Sequence, residues 1–157
     1  LVIVGTNVAL NKTYPTYSCD ALVFCGPNSP IFIKNTIKQY NPSIVLGVYN
    51  PAHSDLSLPD EIINVHLKTV DYKGVIFGGL SSDALKDNTG ILKDFPKTDC
   101  FIVTHKPLEG DEVDRYILRT KPEIILHGNS DSPKYTLRGS VMIRAVSEVE
   151  RIDIKGS

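Results

Sequence analysis

Side chains that could take part in chemistry follow several of the apolar segments of this 157-residue chain. His105 stands directly after Cys100 to Thr104, and Asn129 and Asp131 follow Ile124 to Leu126. Imidazole and carboxylate groups bind metal ions, and a histidine can also act as a general base. A histidine at a strand end is more often a hydrogen-bonded structural residue, and that is the interpretation we favour for His105.

The sequence lacks the motifs of several common enzyme classes. There is no P-loop, no GxGxxG after the first predicted strand and no GxSxG, and Gly78-Gly79 lacks the lysine of a phosphate loop. Three cysteines without CxxC spacing argue against a disulfide framework and a structural zinc site, so we expect Cys19, Cys25 and Cys100 to be buried free thiols. Cys100 opens an apolar segment, which does not favour a nucleophile.

Polar residues in the predicted loops could hold an anion. Backbone N–H groups near a helix start at Ser29 suit a phosphate or nucleotide, although ordinary turn chemistry explains the same residues. These residues are Thr6, Asn7, Asn28, Ser29, Asn129 and Ser130. Tyr14 and Tyr17 lie in a long predicted loop, where they either anchor a protein partner or pack on their own domain. His66 and His127 lie in apolar runs and are predicted to be packing residues.

The composition is that of an ordinary globular protein. The length suits a single domain over residues 1–157, and 41% hydrophobic and 22% charged residues suit a packed core. The formal net charge of -1 predicts no general affinity for nucleic acid or for acidic membranes. Because no apolar run approaches the roughly 20 residues that span a bilayer and no signal peptide is evident, we expect a soluble cytoplasmic protein.

Apolar runs separated by glycine and proline predict strands joined by loops and helices. Leu1 to Val4, Ala21 to Cys25 and Ile44 to Leu46 are predicted core strands. Pro30 to Tyr40 is predicted to be an amphipathic helix, with Ser29 as its cap. A helix between two strands indicates a βαβ unit with parallel pairing.

The rest of the chain predicts further strands and two further helices. Two β-rich runs, Ile62 to Val70 and Gly74 to Phe77, indicate a hairpin. Ala84 to Phe95 is a helix candidate weakened by Gly90, and another helix is expected from the acidic stretch Glu109 to Asp114 onwards. The remaining predicted strands are Cys100 to Thr104, Ile124 to Leu126, Tyr135 to Leu137, Val141 to Val146 and Glu148 to Ile154. We expect the last three of these strands to form an antiparallel meander.

Two segments carry a family resemblance. Cys100-Phe-Ile-Val-Thr-His105-Lys-Pro is an apolar strand ending in Thr-His and a proline, and Lys121-Pro-Glu-Ile-Ile-Leu-His-Gly128-Asn-Ser-Asp131 follows where a Gly-His-x-His motif is expected. Asp20 to Gly26, Ile44 to Gly47 and Leu1 to Val8 stand at three further motifs. Together they resemble the calcineurin-like metallophosphoesterases, in particular the small single-domain phosphodiesterases. The resemblance implies an α/β fold of two mixed β-sheets packed as a sandwich flanked by helices, although composition alone also allows a single flavodoxin-like sheet.

Enzymes of this family hold two metal ions, which bind the phosphoryl oxygens and supply a hydroxide nucleophile. Such a centre needs carboxylate, imidazole and amide ligands, and the resemblance places other residues at most of those positions. Pro27 stands at the bridging aspartate and Tyr49 at the histidine that protonates the leaving group, while His105 keeps an unchanged ligand type. The family-site positions are Thr6, Val8, Pro27, Val48, Tyr49, His105, Asn129 and Asp131.

The altered motifs predict a catalytically inactive member of the fold that binds a protein partner or a small anionic ligand and needs no cofactor. A retromer subunit of this fold, which works as a scaffold, provides the analogy. The alternative is a phosphoesterase with one divalent cation, such as manganese, held by His53, Asp55, His105 and Asp131. A nucleotide-binding regulatory module is a third hypothesis.

Overall fold

The computed structural model describes residues 2–6, 19–26, 30–50, 58–87, 90–104, 110–128, 135–138, 141–146 and 149–155. Within these residues the helices are α1 (Pro30–Tyr40), α2 (Ser82–Asp87) and α3 (Asp111–Thr120). The strands are β1 (Val2–Thr6), β2 (Ala21–Phe24), β3 (Ile44–Gly47), β4 (Ile62–Asn64), β5 (Thr69–Tyr72), β6 (Val75–Ser81), β7 (Cys100–Thr104), β8 (Ile124–His127), β9 (Tyr135–Arg138), β10 (Val141–Ala145) and β11 (Val149–Asp153).

The strands form two mixed sheets. The first has the order β11-β1-β2-β3-β4, in which β1 to β4 are parallel and β11 runs antiparallel to β1. The second has the order β5-β6-β7-β8-β10-β9, in which β6, β7, β8 and β10 are parallel and the edge strands β5 and β9 are antiparallel to their neighbours. The continuous burial of strands such as β2 and β8 is typical of parallel sheets covered on both faces.

Three hydrophobic clusters define the layers of the fold. Alternate residues of both sheets meet in one cluster between them, which includes Val23, Leu46, Phe77 and Ile102. A second cluster joins the outer face of the second sheet to α3, and a third joins the outer face of the first sheet to α1. The architecture is therefore helix, sheet, sheet, helix, as predicted, and the single flavodoxin-like sheet is wrong.

The long helices cover the sheets with one apolar face each. In α3 the buried residues include Val113, Tyr116 and Ile117, whose spacing of three and four positions places them on one side. The helix begins at Asp111 with an acidic first turn and ends before Pro122, as the sequence predicts. No helix among the described residues has the length and apolar character needed to cross a membrane.

Helices α1 and α3 belong to equivalent βαβ units, although no repeat is evident in the sequence. In the first unit, the carbonyl oxygen of Asp20 accepts hydrogen bonds from the N–H groups of Ser43 and Ile44, where β3 begins. In the second unit, the carbonyl oxygen of Asp99 accepts the equivalent pair of hydrogen bonds where β8 begins. The same backbone contacts therefore connect the start of one strand to the start of the next in both sheets.

The two helices also end in the same way. Asn41 after α1 and Lys121 after α3 have left-handed φ values of 45° and 47°, and their N–H groups bond back to the helix at 2.8 and 2.9 Å. Thr120, the last residue of α3, donates a hydroxyl hydrogen bond to the carbonyl oxygen four residues earlier, a contact that Thr36 makes in the middle of α1. A proline follows each cap and prevents the helix from continuing.

The β-rich run Ile62 to Val70 is divided between the two sheets. Its first part is β4 in the first sheet and its last part belongs to β5 in the second, so only the end of this run enters the predicted hairpin. The predicted hairpin is confirmed, because β5 and β6 pair antiparallel around a two-residue turn of Lys73 and Gly74. Both turn residues have positive φ, 51° and 83°, as type I′ hairpin turns require.

Two further predictions are wrong. Ala84 to Phe95 is not a single helix, because α2 ends at Asp87 and Gly90, with a φ of 91°, opens a separate turn. The last three strands do not form a meander: β9 and β10 pair antiparallel, but β10 is parallel to β8 and β11 pairs with β1 in the other sheet. An alternating apolar pattern favours a strand without specifying which strand it pairs with.

Candidate functional site

The carboxyl ends of the parallel strands of both sheets meet at one edge of the sandwich. Asn50, which follows β3, donates a hydrogen bond from Nδ2 to Oγ of Ser81 at the end of β6, at 3.3 Å. This bond joins the two sheets at the edge where α/β proteins commonly bind ligands and where the family resemblance predicts the site. The described residues of this strand-end site are Val48, Tyr49, Asn50, Asn64, His66 and Ser81.

Three of the predicted site positions lie among the described residues. Thr6 ends β1, where its backbone pairs with Phe24, and Val48 and Tyr49 follow β3 directly. The structure thus places these three positions at the carboxyl ends of β1 and β3, which lie on either side of β2 in the first sheet. The other predicted positions lie outside the described residues, and their roles stay predictions: Val8, Pro27, His53, Asp55, His105, Asn129 and Asp131.

Val48 belongs to the hydrophobic core between the sheets. Its side chain is 1% exposed and lies in the same cluster as Leu46 and Val65. An isopropyl group has no lone pair to offer a metal ion. This position therefore contributes packing where the family has an amide ligand.

The side chain of Tyr49 lies on the opposite face of the first sheet. It is 6% exposed and belongs to the cluster beneath α1 that contains Phe24 and Phe32. Burial raises the pKa of the Tyr49 hydroxyl, and the nearby Cys25 thiol adds to the rise. The hydroxyl has no hydrogen-bond partner within the described part of the chain. A buried phenol with a raised pKa does not replace the histidine that protonates a leaving group.

Gly47 makes room for the ring of Tyr49. A Cβ atom at Gly47 would stand 2.5 Å from Cε2 of Tyr49 and 3.0 Å from Cδ1 of Ile62. Residues two positions apart share a face of an extended chain, so the glycine and the ring compete for one space. Gly47 is therefore needed for the packing of Tyr49.

Asn64 holds the backbone of the strand-end site, although the sequence does not single it out. Its Oδ1 accepts the N–H of Tyr49 at 3.0 Å, and its Nδ2 donates to the carbonyl oxygen of Tyr49 at 2.8 Å. The same Oδ1 accepts the N–H of His66 at 3.1 Å. One amide side chain thus satisfies three backbone groups. Its signal in the sequence is an asparagine that closes the short apolar run Ile62–Asn64.

His66 connects the segment that crosses between the sheets to β6. Its Nδ1 accepts the N–H of Ser81 at 3.2 Å, and its backbone forms a parallel bridge with Gly79. Burial lowers the pKa of His66, which favours the neutral ring. Because Nδ1 accepts a hydrogen bond, the proton of the neutral ring lies on Nε2. His127 is also buried, at 2% exposure, and burial lowers its pKa. Both histidines are packed as predicted, but His66 also makes a polar contact at the site.

The cysteines do not supply a nucleophile to the site. Cys25 and Cys100 are fully buried, and burial raises the pKa of the Cys25 thiol to about 12 and that of Cys100 well above its ordinary value. Burial and the neighbouring Asp20 raise the pKa of Cys19, which is half-buried. All three are free thiols, as predicted, but only Cys25 and Cys100 are buried, so the prediction of a buried thiol is wrong for Cys19. Because the thiolate is the reactive form, burial and the raised pKa values do not favour Cys25 or Cys100 as a nucleophile.

The described part of the strand-end site does not fit the two-metal centre of the family. Within the described ranges, no three histidine, cysteine, aspartate or glutamate side chains lie close enough together to hold a metal ion. Val48 and Tyr49 are buried in hydrophobic clusters, at the positions where the family resemblance predicts an amide ligand and an imidazole.

Comparison with known proteins finds a likeness in structure. No family model matches the sequence, and no curated protein matches it. The chain is similar to a crystal structure of a single mutant of Vps29 from Entamoeba histolytica, with a TM-score of 0.49 and 7% sequence identity. The likeness covers 94% of this chain and 76% of the Vps29 chain. The function of this protein must therefore be inferred from its own residues.

Proposed function

We propose that this protein is a catalytically inactive relative of the metallophosphoesterases that works as a binding or scaffold module. The observation that carries the proposal is the burial of Val48 and Tyr49 at the carboxyl end of β3, at 1% and 6% exposure. In the family resemblance these positions belong to a metal ligand and to the proton donor. Here they belong to hydrophobic clusters on opposite faces of the first sheet.

These two replacements affect both parts of the family's reaction. Without the amide ligand, one metal ion has fewer donors to hold it and to lower the pKa of its bound water. Without the imidazole, the alcohol that leaves the phosphorus has no general acid beside it. A chain altered at both positions is therefore better suited to binding than to hydrolysis.

The polar groups near Val48 and Tyr49 support the same proposal because they are engaged in structure. Both ends of the Asn64 amide bond to the Tyr49 backbone, and Nδ1 of His66 accepts a backbone N–H. A metal ion or a phosphoryl group would have to displace these hydrogen bonds. Displacement would leave buried backbone groups without partners, at a cost of about 1–3 kcal/mol each.

The proposed occupant of the binding module is a protein partner or a small anionic ligand. The net charge of -1 gives no reason to expect general nucleic-acid binding. The single-domain organisation, the cytoplasmic location and the independence from a cofactor stay predictions from the sequence.

A phosphodiesterase assay tests the absence of catalysis. The protein is incubated with bis(p-nitrophenyl) phosphate and Mn²⁺, and release of p-nitrophenol is compared with that in a protein-free Mn²⁺ blank. We expect no release above the blank, because the chain lacks the donors for a two-metal centre. After gel filtration of the Mn²⁺-treated protein, elemental analysis should find less than one metal ion per chain.

A specific pattern of variants would contradict the proposal. Turnover that is lost in His105→Ala and in Asp131→Ala but kept in Asp60→Ala would establish the one-metal phosphoesterase instead. Asp60 is the matched control, because it is exposed and precedes β4, at the end of the strand opposite to the strand-end site. Turnover that all three variants retain equally would come from a contaminating phosphatase.

A further inference from the structure

A second candidate binding site lies on the outer face of the second sheet, between α3 and the turn that follows α2. Its cavity has a volume of about 460 Å³, which is within the range of small-molecule sites. The lining of this α3 pocket includes Leu92, Lys93, Glu112, Arg115, Tyr116 and Arg119. It shares no lining residue with the strand-end site.

Two side chains of α3 hold the walls of the pocket together. Near the start of the helix, Oε1 of Glu112 accepts the N–H of Leu92 at 2.8 Å. Near its end, Nη2 of Arg119 donates to the carbonyl oxygens of Leu92 and Phe95, at 3.1 and 3.0 Å. Hydrogen bonds thus attach the turn that contains Leu92 to both ends of α3. Because these bonds fix the walls, the pocket is formed before a ligand binds.

The floor of the pocket is apolar and firmly packed. Leu92 is 1% exposed and Tyr116 is 2% exposed. The Tyr116 ring contacts the rings of Phe95 and Phe101, with centroid distances of 6.0 and 5.2 Å. Its hydroxyl donates to the carbonyl oxygen of Pro96 at 3.1 Å, so the polar end of the side chain is already satisfied. Leu92 and Tyr116 therefore present an apolar surface to a ligand.

The rim of the pocket is positively charged. Lys93 and Arg115 are exposed, and neither side chain has an ion pair or hydrogen bond to another described residue. Arg119 adds a third cation, with its guanidinium 5.6 Å from the centroid of the Tyr116 ring. Glu112 is acidic, but one of its carboxylate oxygens is bonded to the turn. Three cations against one carboxylate make a local positive excess in a chain whose net charge is -1.

We propose that the α3 pocket binds a small organic anion in which an apolar ring or chain carries a carboxylate, phosphate or sulfonate group. The apolar part rests on Leu92 and Tyr116, and the anionic group pairs with Lys93 and Arg115 at the rim. This inference rests on the part of the proposed function that names a small anionic ligand, and it deepens that part by assigning the ligand a chemical class and a site away from the strand-end site.

Anilinonaphthalene sulfonate is a suitable probe, because it joins aromatic rings to one anionic group. Its fluorescence should rise on saturable binding to one site of the folded protein. The uncharged analogue phenylnaphthylamine should bind at least about tenfold more weakly, because it cannot pair with the cationic rim. In isotope-labelled protein, the probe should shift amide resonances of α3 and of residues 90–95 while those of the strand-end site stay unchanged.

Charge reversal at the rim is the decisive comparison. Lys93→Glu combined with Arg115→Glu should weaken binding of anilinonaphthalene sulfonate at least about tenfold. The matched control combines Lys34→Glu with Lys38→Glu, which makes the same change of charge at two exposed positions of α1, across the sandwich. This control should bind the probe as the wild type does. Thermal unfolding followed by circular dichroism establishes that both double variants are folded.

Several outcomes would overturn the α3 pocket proposal. They are the absence of saturable binding to the wild type, equal weakening in both double variants, equal binding of the uncharged analogue, and resonance shifts that cluster away from α3. The phosphodiesterase assay reports on the strand-end site alone. Failure of the α3 pocket and failure of the proposed function are therefore distinguishable.

Discussion

At the carboxyl end of β3, the backbone of Tyr49 takes its hydrogen bonds from the side chain of Asn64 rather than from a neighbouring strand. An asparagine amide can imitate a peptide group, because it presents an acceptor and a donor side by side. Tyr49 is buried, so its N–H and carbonyl groups would be costly to leave without partners. Asn64 therefore stabilises the position from which Tyr49 enters the cluster beneath α1.

Replacing Asn64 by alanine should lower the free energy of unfolding by roughly 1–3 kcal/mol, because the N–H groups of Tyr49 and His66 lose their acceptor. Urea denaturation followed by circular dichroism measures this change. Asn35→Ala is the matched control, since Asn35 is exposed on α1, and it should change stability by less than about 0.5 kcal/mol. An Asn64→Ala variant as stable as this control would show that the hydrogen bonds contribute nothing.

At the scale of secondary-structure elements, the two βαβ units share backbone geometry but little sequence. Their common features are a carbonyl oxygen that accepts two N–H groups, a left-handed cap and a proline after it. Backbone groups make most of these contacts, so almost any side chain is compatible with them. The caps differ, however, because asparagine tolerates left-handed φ better than lysine does.

Replacing the α3 cap Lys121 by glycine should raise the free energy of unfolding by about 0.5–1 kcal/mol, because glycine adopts left-handed φ without a steric cost. Asn41→Gly, at the equivalent cap of α1, should give a smaller gain. Both positions are exposed, which keeps packing the same. Urea denaturation of the two variants beside the wild type measures the difference. Equal gains, or a loss in Lys121→Gly, would exclude backbone strain at Lys121 as the cause.

At the scale of the whole molecule, the segment between β4 and β5 joins the two sheets. The N–H of Val65 bonds to the carbonyl oxygen of Gly47 in β3 at 2.9 Å, and the N–H of Leu67 bonds to that of Gly79 in β6 at 2.8 Å. His66 adds a side-chain contact with β6 through its neutral Nδ1. Two backbone hydrogen bonds and one side-chain hydrogen bond thus hold this segment against both sheets, and only the side-chain bond requires a neutral imidazole.

We expect the free energy of unfolding to fall at acidic pH because His66 becomes protonated. Burial lowers its folded-state pKa below the ordinary 6.5, so its contribution to stability is present above that value and is lost as pH falls through the folded pKa. In His66→Asn the Oδ1 atom can accept the Ser81 N–H without titrating. This variant should lose less stability than the wild type between about pH 7.5 and about pH 5.5, as measured by urea midpoints.

A residual pH dependence is expected in His66→Asn, because burial also lowers the pKa of His127, which remains in place. The comparison therefore depends on the difference between the two proteins rather than on either alone. Equal changes in the urea midpoint of wild type and His66→Asn would show that the crossing does not sense acid through His66.

Much of the fold could be predicted from local patterns. The strands around Val23, Leu46 and Ile102, the helix Pro30–Tyr40 and the sandwich of two sheets follow from runs of apolar residues separated by turn formers. The prediction of one helix over Ala84 to Phe95 was wrong, because α2 ends at Asp87 and Gly90 has a positive φ that suits a turn. The pairing of β11 with β1 was missed because the partners lie at opposite ends of the chain.

By itself, the sequence determined that a valine and a tyrosine stand at positions 48 and 49, where the family resemblance predicts a metal ligand and a general acid. Whether a side chain can bind a metal ion depends first on its residue type, whatever the fold around it. The tertiary structure alone decided that Tyr49 packs beneath α1, that Asn64 holds its backbone, and that Lys93 and Arg115 share a pocket rim. Each of these depends on contacts between segments distant in the sequence, which local periodicity does not encode.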